Sequence, residues 1–202
     1  KEFDAVCITI GSRVGRDIDV PGRGLKGIHF AMDYLIQSNK ERQGVKIPRE
    51  ELITAKGKRV VIIGGGDTGS DCVGTANRQR AKSVAQIEVL PEPPLCRTED
   101  MPWPTHPKIL KTSSSHEEGC VRKWSILTKK FSGEKGCVKR LHTVDGSGTE
   151  FELEADLVIL AMGFTHPEHG GLVADLGLAL APRGTIYVDN NSMTSKAGIV
   201  AG

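Results

Sequence analysis

Between Arg59 and Cys72 the chain reads Arg59-Val60-Val61-Ile62-Ile63-Gly64-Gly65-Gly66-Asp67-Thr68-Gly69-Ser70-Asp71-Cys72, and no other stretch restricts the fold as strongly. Four consecutive β-branched residues with no polar alternation predict a strand buried on both faces, the mark of a parallel sheet covered by helices. Gly64, Gly66 and Gly69 follow in a GxGxxG spacing. In that spacing the first glycine permits a tight turn, the second lets backbone approach a pyrophosphate, and the third lets the next helix sit close to the strand. Asp67 to Arg78 then reads as a helix with Cys72, Val73 and Ala76 on its inner face. The free amides at its start would point at phosphates.

A glycine-rich turn alone is a weak signal, and its setting decides what it means. A second apolar strand, Val84 to Leu90, follows the basic turn Arg80-Ala81-Lys82, which completes a βαβ unit of about thirty residues. Dinucleotide binding is therefore expected at Gly64, Gly65, Gly66, Asp67, Thr68 and Gly69. An acidic residue about twenty positions further on suits the adenosine ribose, and Glu88 and Glu92 fall on either side of that position. Glu88 could equally be a solvent-facing strand residue, and Arg97 is near enough in sequence to read a 2′-phosphate instead. Asp67 suits a helix N-terminus but repels a diphosphate, so its carboxylate is expected on backbone amides or a ribose hydroxyl.

The 202 residues allow one large domain, or one domain with pieces of another. With 27 basic against 25 acidic residues, neither nucleic acid nor a membrane surface is an expected partner. The most apolar runs, near Ala5 to Ile10, Val60 to Ile63 and Leu157 to Met162, are far shorter than the roughly twenty residues needed to span a bilayer. A start at Lys1-Glu2-Phe3 suggests an excised piece, with no visible signal peptide. Cys7, Cys72, Cys96, Cys120 and Cys137 contain no CxxC pair. That argues against a local redox disulfide or a metal ligand set, and suggests reduced thiols in a cytoplasmic setting.

Along the chain, Phe3 to Ile10 reads as a strand, Arg13 to Lys26 as a crossing loop, and His29 to Ser38 as a short amphipathic helix. Asn39 to Lys58 reads as polar linker. The prolines between Pro91 and Pro107 stiffen a loop in which Trp103 could wall the nucleotide site or plug a core edge. Ser113 to Glu118 resembles a Ser/His/acid cluster, but Ser114 with Glu117 and Ser115 with Glu118 have capping-box spacing, so a helix start is expected. From Val121 the period becomes two, with turns at Ser132 to Gly136 and Asp145 to Gly148, which predicts a three-stranded antiparallel meander. Ala155 to Phe164 predicts a second buried strand parallel to the first, ending in Gly163 at the edge where ligands sit. A turn at Pro182-Arg183-Gly184, a strand at Thr185 to Asp189 and a last apolar strand complete the chain.

This order, a strand, GxGxxG, helix, second strand, meander and a final strand ending in Ala-x-Gly, resembles the pyridine-nucleotide domain of two-domain flavoprotein reductases. The wording narrows it further. Gly64 to Cys72, Pro102-Trp103-Pro104, Thr112 to Gly119, Leu153 to Val158 with Ala161 to Phe164, Val20 to Arg23 and Gly27 to Met32 together look like the small (β) subunit of glutamate synthase. The resemblance implies an α/β fold: a Rossmann-like NAD(P)-binding domain with an inserted meander and flanking pieces of a FAD domain. The implied division is 1–57 for the FAD-domain flank and linker, 58–163 for the NAD(P)-binding domain and 164–202 for the return into the FAD domain. It also implies hydride transfer from NAD(P)H to FAD, then electron passage through iron–sulfur clusters to the large (α) subunit, where glutamine and 2-oxoglutarate become glutamate. Gly163 would lie on the nicotinamide side.

The family's flavin-binding GxGxxG and its cysteine-rich cluster domain are absent from these residues, so this stretch is expected to bind a pyridine nucleotide without retaining flavin. Its flanking strands would pair with each other or with another copy in a homo-oligomer. Relatives that read NADPH often carry a basic pair after the second strand; here Val89-Leu90-Pro91 stand in that region, leaving NADH and NADPH both open. Hydride transfer between two stacked rings requires positioning rather than a protein acid or base, so no catalytic residue and no metal ligand is assigned. Three other readings carry less: a thiol-disulfide reductase would need paired cysteines, a methyltransferase would lack the meander, and a nucleotide-sensing module would bind without chemistry.

Overall fold

Val60 to Ile63 do form a strand buried on both faces, and the larger sheet is built outward from it. The computed structural model describes residues 3–202. In chain order it contains β1 (Val6–Ile8), β2 (Ile28–Phe30), α1 (Ala31–Arg42), β3 (Arg59–Ile63), α2 (Asp67–Arg78) and β4 (Ser83–Ile87). There follow α3 (Ser114–Glu117), β5 (Val121–Lys123), β6 (Ile126–Glu134), β7 (Cys137–Asp145), β8 (Glu150–Glu154), β9 (Leu157–Leu160), α4 (Leu172–Asp175) and β10 (Ile199–Ala201). Residues 17–162 make one compact unit, and residues 3–16 with 163–202 make a second.

In the larger unit the parallel sheet has the order β2-β9-β3-β4-β5. Val61 is registered with Val158 of β9 and Ala85 of β4. Side chains alternate across a strand, so the unbroken apolar run serves two different cores. Val60, Ile62, Leu157 and Ile159 pack with Tyr34 of α1 and with Cys72, Val73 and Ala76 of α2. Val61, Ile63, Val158 and Leu160 pack on the other side with Phe131, Val138 and Leu141 of the antiparallel sheet β6-β7-β8.

Several elements differ from the sequence reading. The first helix begins at Ala31 rather than His29, because Ile28–Phe30 pair in parallel with β9, and it runs on to Arg42. The stretch read as linker buries Ile53 and Ala55. Its backbone is satisfied by side-chain amides: Gln37 accepts from the Ile53 N–H, and Gln79 accepts from the Ala55 N–H (2.8 Å) and the Tyr34 hydroxyl (3.0 Å). Such non-repeating bonds leave no periodic trace in sequence. Residues 17–57 thus add β2 and α1 to the larger unit rather than standing apart from it. The second strand ends at Ile87, not Leu90, because the Leu90 N–H bonds the Glu88 carboxylate (3.0 Å) instead of a ladder partner. Val121–Lys123 extend the parallel sheet as β5 before the meander begins.

In the smaller unit β1 pairs in parallel with β10, over Ile8, Val173, Leu178 and Ala201. Of the strand expected over Phe3 to Ile10 only Val6–Ile8 forms a ladder; Lys1 and Glu2, before it, lie outside the described residues. Thr185 to Asp189 forms no strand; Ile186 makes one isolated bridge to Leu180 across the expected turn at Pro182 to Gly184. No helix among the described residues is long and apolar enough to cross a membrane.

Asp156 staples the start of the core strands. Its carboxylate accepts from Arg59 Nε (2.9 Å) and Nη2 (3.0 Å) and from Lys139 Nζ (3.0 Å). The Arg59 guanidinium holds this carboxyl well below the usual carboxylate range, with Lys139 reinforcing it against the opposing effect of burial. A depressed folded-state value means stability that is complete above the unfolded value and lost as pH falls below it. Asp156→Asn is therefore expected to cost on the order of 1 kcal/mol at neutral pH. The gap should narrow as unfolding is followed into acid; a gap independent of pH would contradict the assignment.

Candidate nucleotide-binding site

Gly64 leaves β3 with φ +123°, a conformation side chains rarely adopt, and its N–H bonds the Ile87 carbonyl at 2.8 Å. A Cβ here would stand 2.2 Å from the Ala161 carbonyl oxygen. A Cβ at Gly69 would stand 2.4 Å from the Gly64 carbonyl oxygen, so the third glycine sets the approach of helix to strand as expected. Gly66 is different in kind. It precedes α2 with extended φ and ψ and no side-chain cap, and a Cβ there would meet nothing within 4 Å. The first helical bond runs from the Ser70 N–H to the Gly66 carbonyl, which leaves the amides of Gly66, Asp67, Thr68 and Gly69 without intrahelical partners at the positive end of the helix dipole.

Gly66 and Asp67, at the start of this run, line a concavity of about 650 Å³. Gly65, Gly66, Asp67, Ser70 and Glu88 form one side of it; the segments Leu90–Pro94 and His106–Lys111 form another; Ser113, His116, Arg122 and Trp124 complete it. The Leu110 N–H bonds the Pro94 carbonyl (2.8 Å) and ties the two loop segments together. Arg122 lies with its guanidinium carbon 5.0 Å from the centre of the Trp124 ring and donates to Thr112 Oγ1 at 3.3 Å. Lys108 and Lys111 add positive charge to the wall.

The structure brings Gly65, Gly66, Asp67 and Glu88 to this cavity, with Gly64, Thr68 and Gly69 in the turn and first helical residues beside it. Glu88 is fixed there: one carboxylate oxygen accepts the Gly65 N–H (2.7 Å), the other the Leu90 N–H (3.0 Å). Glu92 also lines the cavity. Arg97 does not, since its Nη1 donates to the Met101 (2.9 Å) and Thr105 (2.8 Å) carbonyls and braces the proline loop. Trp103 is 84% exposed and lines neither cavity nor core. Gly163 belongs to the smaller unit, where its carbonyl accepts the Arg16 N–H at 2.9 Å.

Three residues of the site escape the sequence reading. Gln86 is 2% exposed and donates from Nε2 to the Gly64 carbonyl (2.8 Å), the one buried polar side chain of its strand. His116 joins it through Nε2 (2.9 Å), and its Nδ1 receives the Ser113 N–H (3.1 Å). The capping box is thus Ser113 with His116, not the Ser/Glu pairs expected one and two residues later. Burial, aided by the positive Arg122, lowers the His116 pKa from its ordinary value and so favours the neutral ring. Arg122 had no signal beyond its charge, because its strand is only three residues long.

A parallel sheet with a glycine corner after its central strand, free helix amides and an inserted meander defines a dinucleotide-binding α/β unit. The profile of the pyridine nucleotide-disulphide oxidoreductase family matches residues 1–202, and the chain belongs to that family. Relatives that it matches in sequence are glutamate synthases. It is 46% identical to the NADPH glutamate synthase small chain of Mycobacterium tuberculosis, over the whole of this chain and 44% of that protein. It is 40% identical to the NADH glutamate synthase of Schizosaccharomyces pombe, over the whole of this chain and 11% of that protein. The chain therefore spans less than half the length of these relatives. Among solved structures, thioredoxin reductase from T. acidophilum superposes with TM-score 0.63 at 24% identity, covering 98% of this chain and 56% of that one, which shows the shared fold.

Proposed function

We propose that this chain is the electron-input part of a glutamate synthase small subunit. The observation that carries the reading is the cluster of free amides at the start of α2, facing a cavity in which Gly66 leaves backbone open to a diphosphate. The amides of Gly66, Asp67 and Thr68 would hold the diphosphate of NAD(P)H, and Glu88, fixed at the end of β4, would meet the adenosine ribose. Bound NAD(P)H supplies a hydride, and FAD in the full-length subunit accepts it. This chain's part is to bind and orient the nucleotide and to keep water from it with the Pro91–Pro94 and His106–Lys111 walls. Gly163, at the start of the return segment, is assigned to the nicotinamide side. Electrons would then pass through iron–sulfur clusters to the large subunit, where glutamate is formed from glutamine and 2-oxoglutarate. The clusters are assigned elsewhere in the assembly, since the described residues hold no group of cysteines placed to bind one.

Anaerobic addition of NADPH or NADH to the full-length flavoprotein is expected to bleach its flavin band. Failure of both reductants to do so would contradict the reading.

Of the two arginines nearest the ribose end in sequence or space, only Arg122 lines the cavity. Arg122→Ala is expected to weaken NADPH about tenfold more than NADH, the effect of one charge-assisted contact to a 2′-phosphate. Arg97→Ala should weaken both cofactors alike. A loss selective for NADPH in the Arg97 variant, measured by titration of both nucleotides, would return the role to Arg97.

A further inference from the structure

We propose that His116 is the positioning residue of the glycine corner: acting through Gln86 it fixes the Gly64 carbonyl, and with it the amides that receive the nucleotide diphosphate. This rests on the reading of the glycine corner as the diphosphate site.

The direction of each bond follows from the groups themselves. The Ser113 N–H can only donate, so Nδ1 of His116 must accept, and the ring hydrogen therefore lies on Nε2. From Nε2 it is donated to Gln86 Oε1 at 2.9 Å. That contact in turn fixes which end of the Gln86 amide faces the corner, and Nε2 of Gln86 donates to the Gly64 carbonyl at 2.8 Å. The Ser113 hydroxyl, 3.1 Å from the ring, also contacts the Ser70 hydroxyl in the second turn of α2. The corner is thus gripped from the strand side and the helix side by one imidazole. With Gln86 almost wholly buried, no water can replace a lost partner without rearrangement.

The arrangement admits only the neutral ring. A proton on Nδ1 would face the Ser113 amide hydrogen, which cannot rotate away. Around the ring, β5 presents the cationic Arg122, β4 the uncharged Gln86, and the segment before α3 the uncharged Ser113. On α3 itself stand Glu117 and Glu118, the latter bonded to Arg78 of α2. Burial and Arg122 both favour the neutral form. The grip is therefore complete at neutral pH and is lost as pH falls below the ordinary imidazole range.

The test is titration of the full chain with ADP-ribose, which carries the diphosphate without the nicotinamide, between about pH 8 and about pH 5. Wild-type affinity is expected to fall about tenfold across that range, as for one buried hydrogen bond lost. His116→Phe should show a comparable loss already at neutral pH. His116→Gln keeps an N–H for Gln86 and cannot titrate, so it should bind more tightly than His116→Phe and show a flattened pH profile. Asp67, Glu88, Glu92, His106, Lys108 and Lys111 line the same cavity and are unchanged in both variants, so the comparison isolates position 116. An unchanged pH-dependent fall in His116→Gln would overturn the proposal, and so would wild-type affinity in a folded His116→Phe. If the Phe variant does not fold, the profile of the Gln variant decides alone. Failure of the underlying site would show separately, as unaltered ADP-ribose binding in Gly66→Val.

Discussion

Gly66→Val should leave the fold standing while reducing affinity for both NADH and NADPH by roughly a hundredfold, the loss of two charge-assisted amide contacts. The backbone at this position is extended, with φ −81° and ψ −176°, which valine adopts readily. A Cβ would point into open space, so the methyls fill room that a diphosphate needs and touch nothing that the fold needs. Glycine is also a better residue than valine before a helix, so a stability cost of about 1 kcal/mol is expected beside the binding loss. The third glycine behaves otherwise: a Cβ at Gly69 would lie 2.6 Å from Gln86 Nε2 as well as against the Gly64 carbonyl. Gly69→Val should therefore lower stability and binding together. Thermal melting with nucleotide titration separates the two cases, and retained affinity in a folded Gly66→Val protein would place the diphosphate elsewhere.

Gly64→Ala is expected to give the largest stability loss of any single methyl added to the corner, about 3 kcal/mol or more. Two separate causes coincide there. The φ of +123° strains any side chain, and the added carbon would sit 2.2 Å from the Ala161 carbonyl oxygen. Relief requires β3 and β9 to part at their ends, where Ala161 N–H bonds the Ile63 carbonyl at 2.8 Å. In a chain of this size the melting temperature should drop by about 10 °C. An unchanged melting temperature would mean that the corner is looser than its contacts indicate.

The parts of this molecule that could be read from sequence are those where one physical demand repeats along the chain. Val60–Ile63 and Leu157–Leu160 are unbroken apolar runs because each faces two cores, and the parallel pairing of these two strands follows from that. The glycine corner and the bounds of α2 were equally legible, since each glycine answers a separate steric requirement. Three-residue strands such as Ile28–Phe30 and Val121–Lys123 are too short to show a period, and the sheet claims them through neighbours distant in sequence. The cavity's far wall was hidden for the same reason. Gln86, His116 and Arg122 lie 6 to 36 residues apart, and what joins them is the return of β5 to the edge of β4. Arg97 looked suitable because it is close along the chain, yet nearby backbone carbonyls occupy its guanidinium.

The central claim, that the corner between β3 and α2 receives the diphosphate of a pyridine nucleotide, is tested most directly by following backbone amide resonances of the labelled chain as ADP-ribose is added. The account predicts saturable shifts largest at Gly65, Gly66, Asp67 and Thr68, with smaller ones along the Leu90–Pro94 and His106–Lys111 walls. Shifts confined to other parts of the chain, with those four amides unmoved at saturation, would contradict it.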